Sequence, residues 1–268
     1  MITIINSIAI ALYLAAAIYQ ARYLLSNNGP APKRSLLIGA AITATGFHAA
    51  GVFISINSLQ GIDLGFFKIS SLLFCFISVL SISFTLRRPT DNLFIALFPL
   101  AAIAIVAASM SSPTYNLDSK LSAGMMTHII SSILAYSMLT IATIQACALS
   151  LQEKQLKNRH ATSMLRALPP LQTMEAMLFE LIWIGVALLS LSIASGLLFI
   201  DDIFAQHLAH KSALTIAAWC IFSILLWGRH QLGWRSQTAV RWTVGGFIAL
   251  MLGYFGSKMV LELILQRI

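Results

Sequence analysis

The chain has 268 residues, 58% of them hydrophobic and 10% charged, with a mean hydropathy of +0.84. A soluble domain carries about 25% charged residues, so water is excluded as the main solvent. The net charge of +8 could suit nucleic acid, but a nucleic-acid binder clusters its basic residues on one face or arm. Here they lie in the connections between apolar runs, as in the inner-face loops of membrane proteins, so the expected partner is the lipid bilayer and no nucleic acid.

A bilayer core about 30 Å thick needs about 20 apolar residues per helical crossing. Apolar runs bounded by charge, proline or polar clusters predict helices over Ile2 to Leu25, Ser35 to Ile56, Phe66 to Leu86, Leu93 to Met110, Gly124 to Leu151, Met177 to Ile200, Ser212 to Trp227 and Trp242 to Leu261. The fold class expected is all-α, a polytopic transmembrane bundle of about eight helices forming a single membrane domain over residues 1–268. The first run has no basic residue ahead of it, and its one charge, Arg22, lies at its far end, so it reads as an uncleaved helix. The seventh run is the shortest. The connection from Gln152 to Glu175 is the one long enough for an extra element, a surface amphipathic helix ended by Pro169 and Pro170.

Alternate connections test this assignment. One side carries Arg22, Lys33, Arg34, Arg87, Arg88, Lys154, Lys157, Arg159, Arg166, Arg229, Arg235 and Arg241, twelve in all; the other carries Lys68, Lys120, Lys211, Lys258 and Arg267, five in all. Because basic residues stay on the cytoplasmic side, both termini are expected to face outward. Cys75, Cys147 and Cys220 fall inside apolar runs without a CxxC or CxxCH spacing, which removes a redox pair and a covalent haem attachment site and predicts small core residues. Segments such as SLSIASG, Ser190 to Gly196, predict close helix packing.

An ionisable side chain within a membrane helix is costly and faces the interior with a partner or a task. His48 and His128 meet that description. On the expected topology both lie in the outer half of the bilayer, His128 about 6 Å below the start of its helix at 1.5 Å per residue. The outward connection after the sixth helix adds His207, His210 and Lys211, with Asp201 and Asp202 before them. Three chemistries stay open for this cluster. His207 and His210 at i, i+3 could be two ligands of a metal ion; His48 and His128 could be axial ligands of haem iron, with Lys68, Lys211 or Lys258 meeting the propionates; or the imidazoles could only cross-link helices. The apolar runs hold almost no carboxylates and show no paired broken helices, against a proton-coupled transporter. His160 and His230 lie in basic inner connections and are read as idle. No Ser/His/Asp set, phosphate loop or CxxC appears, so the protein is not expected to be an enzyme.

The segment IGVALLSLSIASGLLFIDDIFAQHLAHKSALTIAAWCIFSILLWGRHQLGWRSQTAVRW, Ile184 to Trp242, then GYFGSK, Gly253 to Lys258, and the earlier HIISSILAYSMLTIATIQACALSLQ from His128, resemble the cytochrome c assembly proteins of the CcsA type, most closely their short HemX- and YpjD-like branch. Lys211, Trp219, Gly233, Trp234 and Arg235 stand where that pattern puts them. The resemblance implies an inner-membrane protein that handles haem b noncovalently at the outer face, with cytochrome c biogenesis proteins as partners. It implies His128 and His48 as candidate ligands of the haem iron; His207 and His210, which depart from the family's pattern, are read as alternative ligands or their neighbours, and Lys211 as a propionate partner. Two departures bear on this. DDIFAQHLAHK lacks the tryptophan-rich WGxxWxWDPKE segment of the full type, and the tail GSKMVLELILQRI lacks its second external histidine. Presentation of haem to an apocytochrome is therefore not implied, whereas haem binding, or an assembly or regulatory role, is. The rival expectation is a membrane scaffold that binds no haem and recruits a partner through the Gln152 to Glu175 connection.

Overall fold

The computed structural model describes residues 2–25, 33–58, 61–63, 65–111, 116–117, 122–158, 168–199 and 209–256. Eight α-helices stand among them: α1 Ile2–Leu25, α2 Arg34–Ile56, α3 Phe66–Arg87, α4 Phe94–Met110, α5 Ala123–Lys157, α6 Leu171–Phe199, α7 Ala209–Gln231 and α8 Ser236–Met251. Seven reach the length and apolarity needed to cross a membrane, α4 together with the 3-10 turn Asp91–Leu93 ahead of it. The eighth has 16 residues and widens into a π-helical turn over Leu252–Gly256. The protein is thus an all-α polytopic bundle, as expected from its apolar runs.

Three expectations are corrected. The polar stretch after Leu151 continues α5 to Lys157, and α6 begins at Leu171 rather than Met177, so much of the long connection is helix. The surface helix expected in that connection falls largely on residues 159–167, outside the described residues. The seventh run, shortest by its apolar residues, becomes a helix of 23 residues, because helix formation continues through the polar HK and GRHQ flanks that an apolar criterion trims. Cys147 and Cys220 are exposed on helix surfaces and only Cys75 is buried. A bilayer makes the exterior as apolar as the core, so an apolar neighbourhood does not distinguish inside from outside.

The chain divides into two compact units, residues 1–119 with 154–170, and residues 120–153 with 171–268. In the first, α1 packs on α2 and α4, and α3 packs on the same two helices, so consecutive helices close a ring. Its centre is aromatic: Tyr13 and Phe98 have ring centroids 4.9 Å apart, and Phe98 stacks on Phe94 at 4.4 Å. All three side chains are fully buried. One end of this unit carries a small antiparallel sheet, β1 Asn57–Ser58, β2 Gly61–Asp63 and β3 Asn116–Leu117, with β2 in the middle.

In the second unit, α7 packs between α6 and α8. Without water as competitor, such helices associate through close packing and interhelical hydrogen bonds. Trp219 Nε1 donates to Ser190 Oγ at 2.8 Å, and the buried Tyr136 hydroxyl donates to the Leu250 carbonyl at 2.9 Å. Glycines allow the closest approaches: a Cβ built on Gly185 would meet Leu139 Cδ2 at 2.6 Å, and one on Gly246 would meet Phe222 Cε2 at 2.9 Å. Many serine and threonine hydroxyls donate to the carbonyl one turn back, as Thr140 does to Tyr136, which lets polar residues sit in apolar helices without an unmet donor.

Candidate functional site

His48 projects from α2 into the first unit and is 1% exposed. It lines a cavity of about 460 Å³ bordered by α1, α2, α3 and α4, whose polar wall includes Asn6, Ser55, Lys68, Ser71 and Ser109. That volume lies within the range of small-molecule pockets. Both imidazole nitrogens are engaged: Nε2 is 3.0 Å from Ser71 Oγ, and Nδ1 is 3.3 Å from the Tyr13 hydroxyl. The cation of the cavity, Lys68, bonds Asp63 Oδ2 at 2.6 Å. Asp63 is fully buried in β2, and its Oδ1 also accepts the Gly65 amide at 3.0 Å. The small sheet therefore positions Lys68, and the pairing is what allows a cation to sit 11% exposed in the wall. An ammonium carries three donors, so the contact with Asp63 does not use up its capacity.

His128, on the second turn of α5 in the second unit, faces α6. Its Nδ1 lies 2.8 Å from the Ser192 carbonyl. A carbonyl only accepts, so Nδ1 carries the proton and Nε2 holds a lone pair. Nε2 has no hydrogen-bond partner among the described residues, and the side chain is half-buried. The helices meet tightly here because the facing residues are small: Ser132 Oγ donates to the His128 carbonyl and lies 2.6 Å from Ser192 Oγ, and a Cβ built on Gly124 would strike the Phe199 ring. Lys211, near the start of α7, places its ammonium 4.6 Å from the Tyr254 ring centroid and close enough for its charge to act on the His128 ring.

The remaining sequence candidates divide simply. His207 lies outside the described residues, as does His160. His210 belongs to the first turn of α7 by its backbone. His230 is exposed at the end of that helix. His48 belongs to one unit and His128 to the other. Among the described residues no group of three or more His, Cys, Asp and Glu could hold a metal ion, so ligation in these regions rests on single imidazoles.

Sequence reasoning missed Tyr13 and Ser71 as residues that hold these imidazoles; Ser192 and Gly196 fall in the Ser190 to Gly196 segment read as close helix packing, which they form here against His128 and Ser132. It also missed Glu175, at the end of α6 remote from Ser192. Glu175 is 6% exposed and is joined by two arginines: Arg229 Nη1 lies 2.5 Å from Oε1, and Arg235 Nε lies 3.3 Å from the same oxygen. Arg229 also covers the Phe179 ring and donates to the Trp234 carbonyl, while Trp234 stacks near Trp242 and against Gly228. The sharp turn between α7 and α8 uses Gly233 at φ 65°, a left-handed conformation glycine adopts without a Cβ clash. The GRHQLGWR segment thus folds back to pair its arginines with one buried acid.

A family model described as cytochrome C assembly protein matches residues 36–265. The chain belongs to the cytochrome c assembly protein family. Among curated relatives of this cytochrome c assembly protein, inner membrane protein YpjD of Escherichia coli strain K12 is 31% identical over 243 residues, covering 90% of this chain and 91% of YpjD. Protein HemX of Brevibacillus brevis is 27% identical over 134 residues, covering 49% of each chain. No solved structure matches. The family match includes both His48 and His128, and the YpjD match extends along nearly the whole chain.

Proposed function

We propose that this cytochrome c assembly protein binds haem b noncovalently at the outer face of the bacterial inner membrane, as a step in cytochrome c biogenesis, with His48 and His128 as candidate axial ligands. The observation that carries this reading is the state of His128. Its Nδ1–H is committed to a backbone carbonyl while Nε2 has no hydrogen-bond partner among the described residues, the arrangement found in imidazoles that ligate metals. The donor set suits haem, which takes one or two imidazoles and cations for its carboxylates: Lys68 shares a cavity with His48, and the Lys211 charge acts on the His128 ring. Bound haem would supply an iron centre whose potential follows its axial ligands and burial. The protein's own contribution is to hold each ring in one tautomer and orientation. His207 and His210 serve as alternative ligands, and Lys211 as a carboxylate partner. The inner-membrane location follows the printed name of YpjD, and the outward termini follow the charge bias of the connections.

The test is a spectrum of the detergent-extracted protein after haem loading, oxidised and reduced, for the wild type and His128→Ala. A Soret band that His128→Ala diminishes is expected. No Soret band in the wild type, or a band that both His128→Ala and His48→Ala leave unchanged, overturns the reading.

A further inference from the structure

The hydroxyl chain behind His48 has a direction, and the direction fixes which ring nitrogen is bare. Thr45 Oγ1 donates its proton to the Ala41 carbonyl at 2.8 Å, so toward Tyr13 it is an acceptor. The Tyr13 hydroxyl donates to it at 3.1 Å. Having one proton and having given it to Thr45, the Tyr13 oxygen can only accept from His48 Nδ1, 3.3 Å away. Nδ1 is therefore the protonated nitrogen. Nε2 is the lone-pair nitrogen, and Ser71, with Oγ 3.0 Å from it, is the donor there. Nε2 and Ser71 are on the cavity side, since both residues line it and Tyr13 does not.

Resting on the reading that His48 ligates haem iron, we propose that Tyr13 and Thr45 are positioning residues for that ligand: the relay from His48 through Tyr13 and Thr45 to the Ala41 carbonyl holds Nε2 deprotonated and aimed at the cavity, where the Ser71 hydroxyl donates to it in the haem-free protein and where haem iron would be held. The relay is rigid because each member is fixed. Tyr13 is fully buried, with its ring held by Phe98 at 4.9 Å and edge-on to His48 at 5.8 Å. Thr45 is 6% exposed and tied to its own helix. In the second unit a backbone carbonyl does the same for His128. In the first unit side chains do it, so the arrangement can be reversed by substitution.

The prediction has a sign. The Tyr13 hydroxyl also meets Ser78, whose own proton goes to the Phe74 carbonyl at 2.9 Å, so Thr45→Val is made in a Ser78→Ala background; in that background Thr45→Val removes the remaining acceptor while keeping a branched side chain, the Tyr13 proton turns toward His48 Nδ1 and the imidazole proton moves to Nε2, where Ser71 accepts it. Tyr13→Phe deletes the oxygen and drives the same change. Ser71→Ala removes the competing hydroxyl and keeps the Nδ1–H form. The experiment is imidazole ¹⁵N NMR on haem-free protein in detergent, with the His48 signals identified by their loss in His48→Ala. The wild type and Ser71→Ala should show protonated Nδ1, and Thr45→Val in the Ser78→Ala background protonated Nε2. Haem titration should then show affinity at least about tenfold weaker for that double variant, the size of effect expected for an outer-shell partner, and not weaker for Ser71→Ala. Protonated Nε2 in the wild type, or unchanged Nδ1–H in the double variant, overturns the relay. The NMR result is independent of haem, so a relay that behaves as described while His48→Ala binds haem normally would count against His48 as a ligand, and not against the relay.

Discussion

Gly196 lies directly against His128: a Cβ built on it would meet Nδ1 at 3.0 Å and Cε1 at 3.1 Å. The imidazole reaches the Ser192 carbonyl across the place where any other residue would put a side chain. Gly196→Val should push the ring off α6 and break its hydrogen bond. We expect a loss of stability of about 1–3 kcal/mol from overpacking and haem affinity weakened roughly tenfold or more. Thermal denaturation and haem titration check the two effects separately. Gly185→Ala, which crowds Leu139 in the same helix pair away from His128, should destabilise without a specific loss of haem affinity.

Glu175 holds Arg229 and Arg235 at the far end of α6. Removing the acid leaves two cations facing a buried site, so Glu175→Ala should destabilise by about 2 kcal/mol; the figure is set below that of a fully buried pair because both arginines keep partial contact with solvent. Arg235→Ala removes only the more exposed partner, at 57% side-chain exposure, and should cost less than about 1 kcal/mol. Equal losses from the two substitutions, measured by thermal melts in detergent, would show that the acid is not the centre of the cluster.

Among the described residues, Asp63 accepts the Gly65 amide through Oδ1 and pairs Lys68 through Oδ2. Asp63→Asn keeps an oxygen for the amide and loses the charge. Asp63→Ala loses both and should be less stable than Asp63→Asn by about 1 kcal/mol, the worth of one buried hydrogen bond. The comparison is read from melts of the two variants side by side.

On the proposed orientation, with both termini outward, the small sheet lies outside and the connection after α3 inside. In a cysteine-free background, Asn57→Cys should react with a membrane-impermeant maleimide in intact cells. Pro89→Cys, also exposed, should react only after permeabilisation. The opposite pattern would invert the topology.

What could be read from the sequence follows the physics of each feature. Eight apolar runs were legible because hydrocarbon demands them, and their ends were legible wherever proline or a cluster of charge stops the helix. The QEKQLK stretch was not, since glutamate, lysine, glutamine and leucine are good helix formers and polarity ends a membrane crossing without ending a helix. The sheet was invisible because strands of two or three residues show no alternation. His48 and His128 stood out because an imidazole in a membrane helix is costly. Their partners did not, because whether α2 turns His48 toward Tyr13, or α5 turns His128 toward Ser192, depends on helix rotation and crossing angle. Serine and threonine one turn apart are too common in such helices to mark a site.

Helix α5 is 35 residues long, about 52 Å at 1.5 Å per residue, against a hydrocarbon layer of about 30 Å. Upright, it must stand some 20 Å clear of the lipid tails, a protrusion that tilting alone would shorten only modestly. Its last turns, from Gln152 through Lys157, hold the helix's charged residues, Glu153, Lys154 and Lys157. Here Glu153 receives Gln237 Nε2 at 2.6 Å and Ser150 meets the same amide at 3.3 Å, which braces this end of α5 against the start of α8. The brace at Ser150 and Glu153 and the turn that bears His128 are thus parts of one continuous rod, so a pull on the first is felt along the axis of the second.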